Sequence, residues 1–521
     1  MSDLLDDVVA AAGLTVFGAA PAAGPVGAGP PLTGRLPDAA LAARIDALRA
    51  ELRAQGLDTV VLCATGAAAA AAAAIARTLG LRLTVLDAAD PHRARSALAD
   101  RLDRTVVVLA AASGPAVETD AYRRAYLQAF EDAGLHDVGR RFVVVTAPGS
   151  PLETLARETG AELFRTGDAP ESALSAYALV AAGLAGADTA TLLAEAAALL
   201  TPPPAVHAAA GFAMAPPARQ AEQGATARPE PHPEDGARAP GIALGDAIAA
   251  AAHEGRDKLA VAPDGTGIDG LGEWIERLFA VLAPRVVPVP LENPSSWGHE
   301  GPDVLSVTVG GALGMGLMPG GGIAPDLSVN GPLGAQLLAW EQAARVSGAR
   351  PQTGAETGRV PGPGHDDERT LGILEAGPPA ETPALVEGAV EVYGETSATT
   401  LIGAIDALVH GVPAGGHVAV AAYLDRDGDA AAAGVRDALA GRVARAVTFG
   451  WGSLAPRPGL GAILQITGAV TADVRVPGRP YTFGELQAAR AAGGRGAVPL
   501  LRLHLTDRAT GIEQLLAALG G

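Results

Sequence analysis

Apolar positions change period along this chain, and each change marks an element. Leu41, Ile45, Leu48 and Leu52 recur every three or four residues, the spacing of one helix face. The unbroken run Thr59-Val60-Val61-Leu62-Cys63 follows, then a helical stretch over Ala67–Thr78 and a second short run, Leu83-Thr84-Val85-Leu86. The alternation goes on: a helix near Arg93–Leu102, a strand at Thr105–Leu109, a helix over Glu118–Ala133 and a strand at Phe142–Thr146. Strands without polar alternation are covered on both faces, and their alternation with helices predicts parallel sheets flanked by helices, an α/β fold. Helices over Ser172–Leu184 and Thr189–Leu199 close this first unit.

The same rhythm resumes beyond residue 241. Strands are expected at Leu259–Val261, Val286–Val289 and Val304–Val309, with helices over Gly270–Leu282 and Gly331–Val346. After a further interruption come strands at Val418–Ala422, Val443–Phe449, Ala462–Thr467 and Val498–Leu503, and helices over Thr399–His410, Ala430–Leu439, Phe483–Ala492 and Thr510–Leu519. The interruptions set the boundaries. Residues 1–36, rich in Ala, Gly and Pro, read as a poorly ordered leader, and 37–200 as the first unit. Residues 201–241, with Pro202-Pro203-Pro204 and then Pro216, Pro217, Pro229, Pro231 and Pro233, read as a linker or insertion. Residues 242–349 and 385–521 are expected to form a second unit, split by a Pro/Gly-rich loop at 350–384.

Composition narrows the chemistry. The 521 residues carry 38 basic and 57 acidic side chains, a formal charge of −19. Such an acidic chain lacks the basic face needed to hold nucleic-acid phosphates. Lys258 is its one lysine and Cys63 its one cysteine, which excludes an intramolecular disulfide and a cysteine-built zinc site. The start, Met1-Ser2-Asp3-Leu4-Leu5-Asp6-Asp7, is acidic where a secretory signal is basic, and the longest bland apolar run, Ala67–Ile75, is too short to span a bilayer. A cytoplasmic protein with no membrane and no nucleic-acid partner is therefore expected.

Several local patterns resemble sites and lack a needed part. His365-Asp366-Asp367-Glu368 lies in the second interruption with no periodic scaffold to orient metal ligands. Asp425-Arg426-Asp427-Gly428-Asp429 has its glycine two places early for a calcium loop, and Arg436 stands where the bidentate glutamate belongs. The glycine-rich run Gly310–Gly316 and Gly320–Gly322 lacks the Gly-Lys-Ser/Thr ending of a P-loop. No metal and no cofactor are expected. Ser113-Gly114-Pro115-Ala116-Val117-Glu118-Thr119 is more suggestive, since it leaves a buried strand and opens a helix whose first N–H groups favour an anion. The turn Ala64-Thr65-Gly66 makes a weaker entry of the same kind.

In order along the chain, Ser113–Thr119, Arg123-Arg124-Ala125-Tyr126, Gln128–Gly134 and Val143–Thr146 resemble glucose-6-phosphate isomerase of the actinobacterial type. So do Pro148–Leu152, Gly255–Leu259, Gly331–Gln336 with Trp340-Glu341, Thr448–Gly452, Leu464–Gly468, Pro477–Thr482 and Leu501–Arg508. The resemblance implies two tandem sugar-isomerase (SIS) domains with flavodoxin-like parallel sheets, a homodimer, and interconversion of glucose 6-phosphate and fructose 6-phosphate. It also implies a sugar phosphate held by Ser113, Gly114 and Thr119, with Gly66 beside them. Other positions depart from the family pattern. The substrate-facing arginine falls at about Pro170 and the catalytic glutamate at about Val281. The His- and Lys-bearing segment shrinks to Ser453–Gly461, where Arg457 is the one cation. Glu292 is the nearest spare carboxylate that could act as a base. Isomerase activity is therefore expected to be weak or absent. The alternative is a non-catalytic sugar-phosphate sensor or scaffold subunit.

Overall fold

The computed structural model describes residues 8–11, 13–17, 36–114, 116–200, 239–291, 301–311, 325–349, 363–377, 381–443, 445–452, 457–494 and 498–520. Three sheets, mostly parallel and flanked by helices, carry the fold, as the alternating pattern predicts. The first holds five parallel strands in the spatial order Thr84–Leu86, Thr59–Cys63, Thr105–Ala111, Phe142–Thr146, Glu162–Arg165. In chain order this is 2-1-3-4-5, the doubly wound arrangement in which the winding direction reverses between strands 1 and 3.

The stretch from 242 to 521, expected as one unit, carries two sheets, because each half supplies its own four parallel strands. In the second sheet these are Leu327–Asn330, Val304–Gly310, Lys258–Pro263 and Val287–Pro290; in the third they are Leu500–Leu505, Leu460–Gly468, His417–Tyr423 and Val447–Trp451. Both follow the order 4-3-1-2, and both extend strand 4 with an antiparallel hairpin. For the third sheet that hairpin is Leu385–Glu387 with Val390–Tyr393. For the second it is Val8–Ala11 with Leu14–Phe17, from the other side of the first unit. Within the leader expected at 1–36, Val8–Ala11 and Leu14–Phe17 are instead a strand pair: Leu14 and Val16 are fully buried, and Gly13 turns at φ +79°.

The first and second units share one apolar core. Helix Gly66–Thr78, rich in alanine, packs against helix Leu271–Leu282; small side chains let the two backbones approach, and alanine is the best helix former. Trp274 and Trp340 are fully buried in this core. The third unit has its own core, and sends Phe483 and Leu486 into the opposite face of the first unit, where Phe483 meets Tyr122 at a ring-centroid distance of 4.7 Å. The interruption expected at 350–384 contains a helix, Pro363–Ala376, started by a proline at its first position and acidic residues after it. Helix Pro240–His253 begins just inside the expected linker, whose residues 201–238 lie outside the described ones.

Candidate functional site

In doubly wound sheets ligands bind beyond the carboxyl ends of the strands, where the winding reverses. In the first sheet that point lies between Thr59–Cys63 and Thr105–Ala111, which run side by side with Cys63 opposite Leu109. Ala64-Thr65-Gly66 leaves one strand there and Ala112-Ser113-Gly114 the other, so Gly66, Ser113 and Gly114 reach the same edge. Gly66 and Gly114 have φ of +71° and +143°, conformations that favour glycine, and Ser113 is exposed. Thr119 does not join them: it is 1% exposed on the inward face of helix Val117–Asp132. Two carboxylates share that first helical turn, and both are neutralised. Glu118 is held by Arg490. Asp120 accepts from Arg123 at 2.7 Å, Arg124 at 2.7 Å and Arg479 at 3.0 Å. Burial alone would raise the Asp120 pKa, but these arginines outweigh it and hold it down to about 2. Pro115 lies outside the described residues.

Strand ends of the second and third sheets lie side by side. Between the second and third lies a cleft of about 520 Å³, bounded by Pro263, Pro290 and Trp451 at strand ends, with Arg77 reaching in from the first unit. One wall is the end of the turn Asp264–Gly270, which enters helix Leu271–Leu282. Gly265, Gly267 and Gly270 adopt φ of +83°, +100° and +76°. Asp264 pins the turn: it accepts from Thr266 N at 2.8 Å and Asn330 Nδ2 at 2.8 Å, and the Thr266 hydroxyl accepts from Gly311 N at 3.0 Å. The spacing Gly265-x-Gly267-x-x-Gly270 between a strand and a helix is the signal that finds this turn in the sequence, and it reads as a phosphate-cradling fingerprint. Asp269 and Glu273 at its mouth oppose a pyrophosphate there.

Most carboxylates in the cleft are matched with guanidiniums. Glu273 meets Arg426 at 2.5 Å, and Arg426 also faces Asp87 of the first unit at 3.8 Å. Burial raises the Glu273 pKa, yet Arg426, Arg277 and Arg77 outweigh it, so the carboxyl stays below its ordinary range. Burial lowers the Arg426 pKa, but Asp87 and Glu273 outweigh it and raise the value. Glu276 meets Arg457 at 2.8 Å and Arg277 at 3.4 Å. Arg457 is itself 9% exposed and donates to the backbone oxygens of Val286 and Glu276, so it ties two units together and is not a free cation. Glu273, Glu276 and Arg77 are cleft residues that the sequence pattern alone leaves unmarked.

Other sequence-marked residues find structural places. Lys258 is 1% exposed, paired with Asp257 at 2.5 Å and Asp303 at 3.1 Å, and donates to Gly415 O of the third unit. Asp427 pairs with Arg93 at 2.7 Å, and Asp429 with Arg508 at 2.8 Å. Asp367 pairs with Arg490. Arg123 and Arg124 are held by Asp120 because helical spacing of three and four residues places them over it. Val281 is 61% exposed at the end of its helix. Glu292, residues 312–324 and Ser453–Pro456 lie outside the described residues. Among the described residues, no cluster of His, Cys, Asp or Glu is arranged to hold a metal, and no helix is long and apolar enough to cross a membrane.

No family model matches the sequence, and no curated protein is similar to it. Solved structures are. The fold is similar to a glucose-6-phosphate isomerase from Chlamydia trachomatis, 18% identical over 65% of this chain and 74% of that one, with a TM-score of 0.47. It is also similar to a hypothetical protein from Thermus thermophilus, 20% identical over 61% and 87%, with a TM-score of 0.43. A tagatose-6-phosphate ketose/aldose isomerase from Escherichia coli is 12% identical over 61% and 90%, with a TM-score of 0.31.

Proposed function

We propose that this protein is a degenerate relative of glucose-6-phosphate isomerase of the actinobacterial type, which binds a sugar phosphate and isomerises it weakly or not at all. The ordered sequence blocks described above support the family reading. The observation that carries the functional reading is the pairing in the cleft: of the five carboxylates lining it, Glu273, Glu276, Asp427 and Asp437 are engaged by arginines. Moving a proton between C1 and C2 of a sugar phosphate needs a base whose pKa lies near the working pH. A carboxylate held low by Arg426, as Glu273 is, makes a poor one. The exposed Ser113 and the open backbone at Gly66 and Gly114 leave room for a phosphate at the first sheet's switch point.

The test uses the purified full chain with fructose 6-phosphate. Calorimetric titration should show binding, and a coupled assay should show turnover far below the ~10 s⁻¹ of an ordinary enzyme. Turnover within about tenfold of that value overturns the loss of activity. Absence of binding at millimolar fructose 6-phosphate and glucose 6-phosphate overturns the ligand and favours a scaffold. Cytoplasmic location and a homodimer remain part of the proposal, and fractionation and light scattering test them.

A further inference from the structure

The third unit contains a second cleft, of about 420 Å³, that shares no lining residue with the one above. It lies on the far side of the third sheet from Val447–Trp451, over strands Leu460–Gly468, Leu500–Leu505 and Val390–Tyr393. Strand alternation explains its character. Leu501, Leu503, Leu505, Val390 and Val392 point to the covered face and are 0–2% exposed. The residues between them point the other way and form cross-strand rows. Thr467, His504 and Glu391 are neighbours in one row, and Arg502 and Tyr393 are paired in the next. A buried parallel sheet ordinarily carries apolar residues on both faces. This one exposes a hydrogen-bonding face, and helix Phe483–Gly493 covers only part of it.

The groups in these rows are held in place. Thr467 Oγ1 lies 3.0 Å from His504 Nδ1. Tyr393 Oη donates to Glu391 at 2.7 Å, and the Arg502 guanidinium stacks 4.4 Å from the Tyr393 ring centre while pairing with Glu381. Burial lowers the His504 pKa, so the imidazole is neutral at physiological pH. The opposite wall is helix Phe483–Gly493, which presents Ala488 and Ala491. The cleft thus has a wall of alanines, with Gln487 beside them, facing a row of hydroxyl, imidazole and carboxylate groups. Its lining charge is unfavourable to an anion, since Glu381, Glu391 and one arginine leave an excess negative charge.

We propose that this cleft binds an uncharged, hydroxyl-rich ligand of monosaccharide size, with C–H groups against the alanine wall and hydroxyls bonded to His504, Thr467 and Glu391. Its volume falls in the range of small-molecule sites. A phosphorylated sugar is disfavoured here by Glu391 and Glu381, so the preference is opposite to that proposed for the first sheet's switch point. The inference does not depend on that proposal, because no residue is shared.

Saturation-transfer NMR of the full chain with glucose tests it, with His504→Ala, Glu391→Gln and Ala488→Leu as variants. Ala488 is exposed on its helix, so a leucine there fills the cleft without entering a core. Glucose should bind the parent protein and weaken at least tenfold in all three variants, while their melting temperatures and fructose 6-phosphate titrations match the parent. Absence of glucose binding at tens of millimolar overturns the proposal. So does binding that survives Ala488→Leu in a folded variant, or glucose 6-phosphate displacing glucose at equal or lower concentration.

Discussion

Glu341 is 7% exposed, and its carboxylate accepts from Ser172 Oγ at 2.7 Å and Ala173 N at 3.0 Å, joining the second unit to the first. Burial outweighs those bonds and raises its pKa to about 7. The folded state therefore binds the proton more tightly than the unfolded chain, and this group's contribution falls as pH rises from about 4.5 to about 7. His417 has the opposite sign. Burial first, then Lys258 and Arg457, lower its pKa to about 4, so its contribution is lost as pH falls from 6.5 toward 4. Glu341→Gln should melt level with the parent near pH 4.5 and gain on it through pH 7, by on the order of 3 kcal/mol. A melting difference that does not change with pH sinks this account. His417→Gln should instead gain on the parent as the pH drops below 6. Lys258→Met leaves Asp303 facing the interior without its cation, and removal of one partner from a buried pair costs about 3–5 kcal/mol. Thermal denaturation should show that loss, and a melting temperature unchanged within a degree would refute a structural role for the lone lysine.

Elements differ in how clearly the sequence announces them. Strands such as Val106–Leu109 and Val143–Val145 are legible because a run of branched apolar residues has no other stable place than a doubly covered sheet. The N-terminal hairpin is not, although Val8-Val9 and Leu14-Thr15-Val16-Phe17 flank a glycine: the surrounding Ala, Gly and Pro hide two four-residue strands whose partner lies far along the chain. Helix Pro363–Ala376 is obscured in the same way, by the Pro/Gly segment that leads into it. At the site, Ser113, Gly114 and Gly66 are legible because a strand-to-helix turn has a local pattern. The pairs Glu273–Arg426 and Glu276–Arg457 are not, since each joins positions more than 150 residues apart, and only the folded chain brings them together. Leu14 shows what the hairpin contributes. Being fully buried, Leu14→Ala should cost about 2–5 kcal/mol. Hydrogen exchange should then quicken in Leu327–Asn330, the strand it covers, and slow exchange there would count against the assigned pairing.

Across the whole molecule, polar ties reinforce the apolar contact through which the third unit meets the first. Asp90 is 1% exposed, caps helix Pro91–Ala99 through Arg93 N at 2.9 Å, and accepts from Gln487 at 2.9 Å and Arg508 at 3.2 Å. Arg508 reaches on to Asp429. Asp90→Ala breaks the cap and both ties, so calorimetry should resolve the third unit melting ahead of the other two; a single transition at the parent temperature would contradict that. The second unit raises a matter of timing. Its hairpin pairs Phe17 with Ser328, and the entire first unit is made in between. At roughly 5–20 residues per second of synthesis, the hairpin waits on the order of 15–60 s for its partner strand. During that interval its two apolar strands are exposed beside a growing chain, while the inserted unit has everything it needs to fold. The order of events is thus set by connectivity: the middle of the polypeptide matures first, and the earliest residues are among the last to find their place.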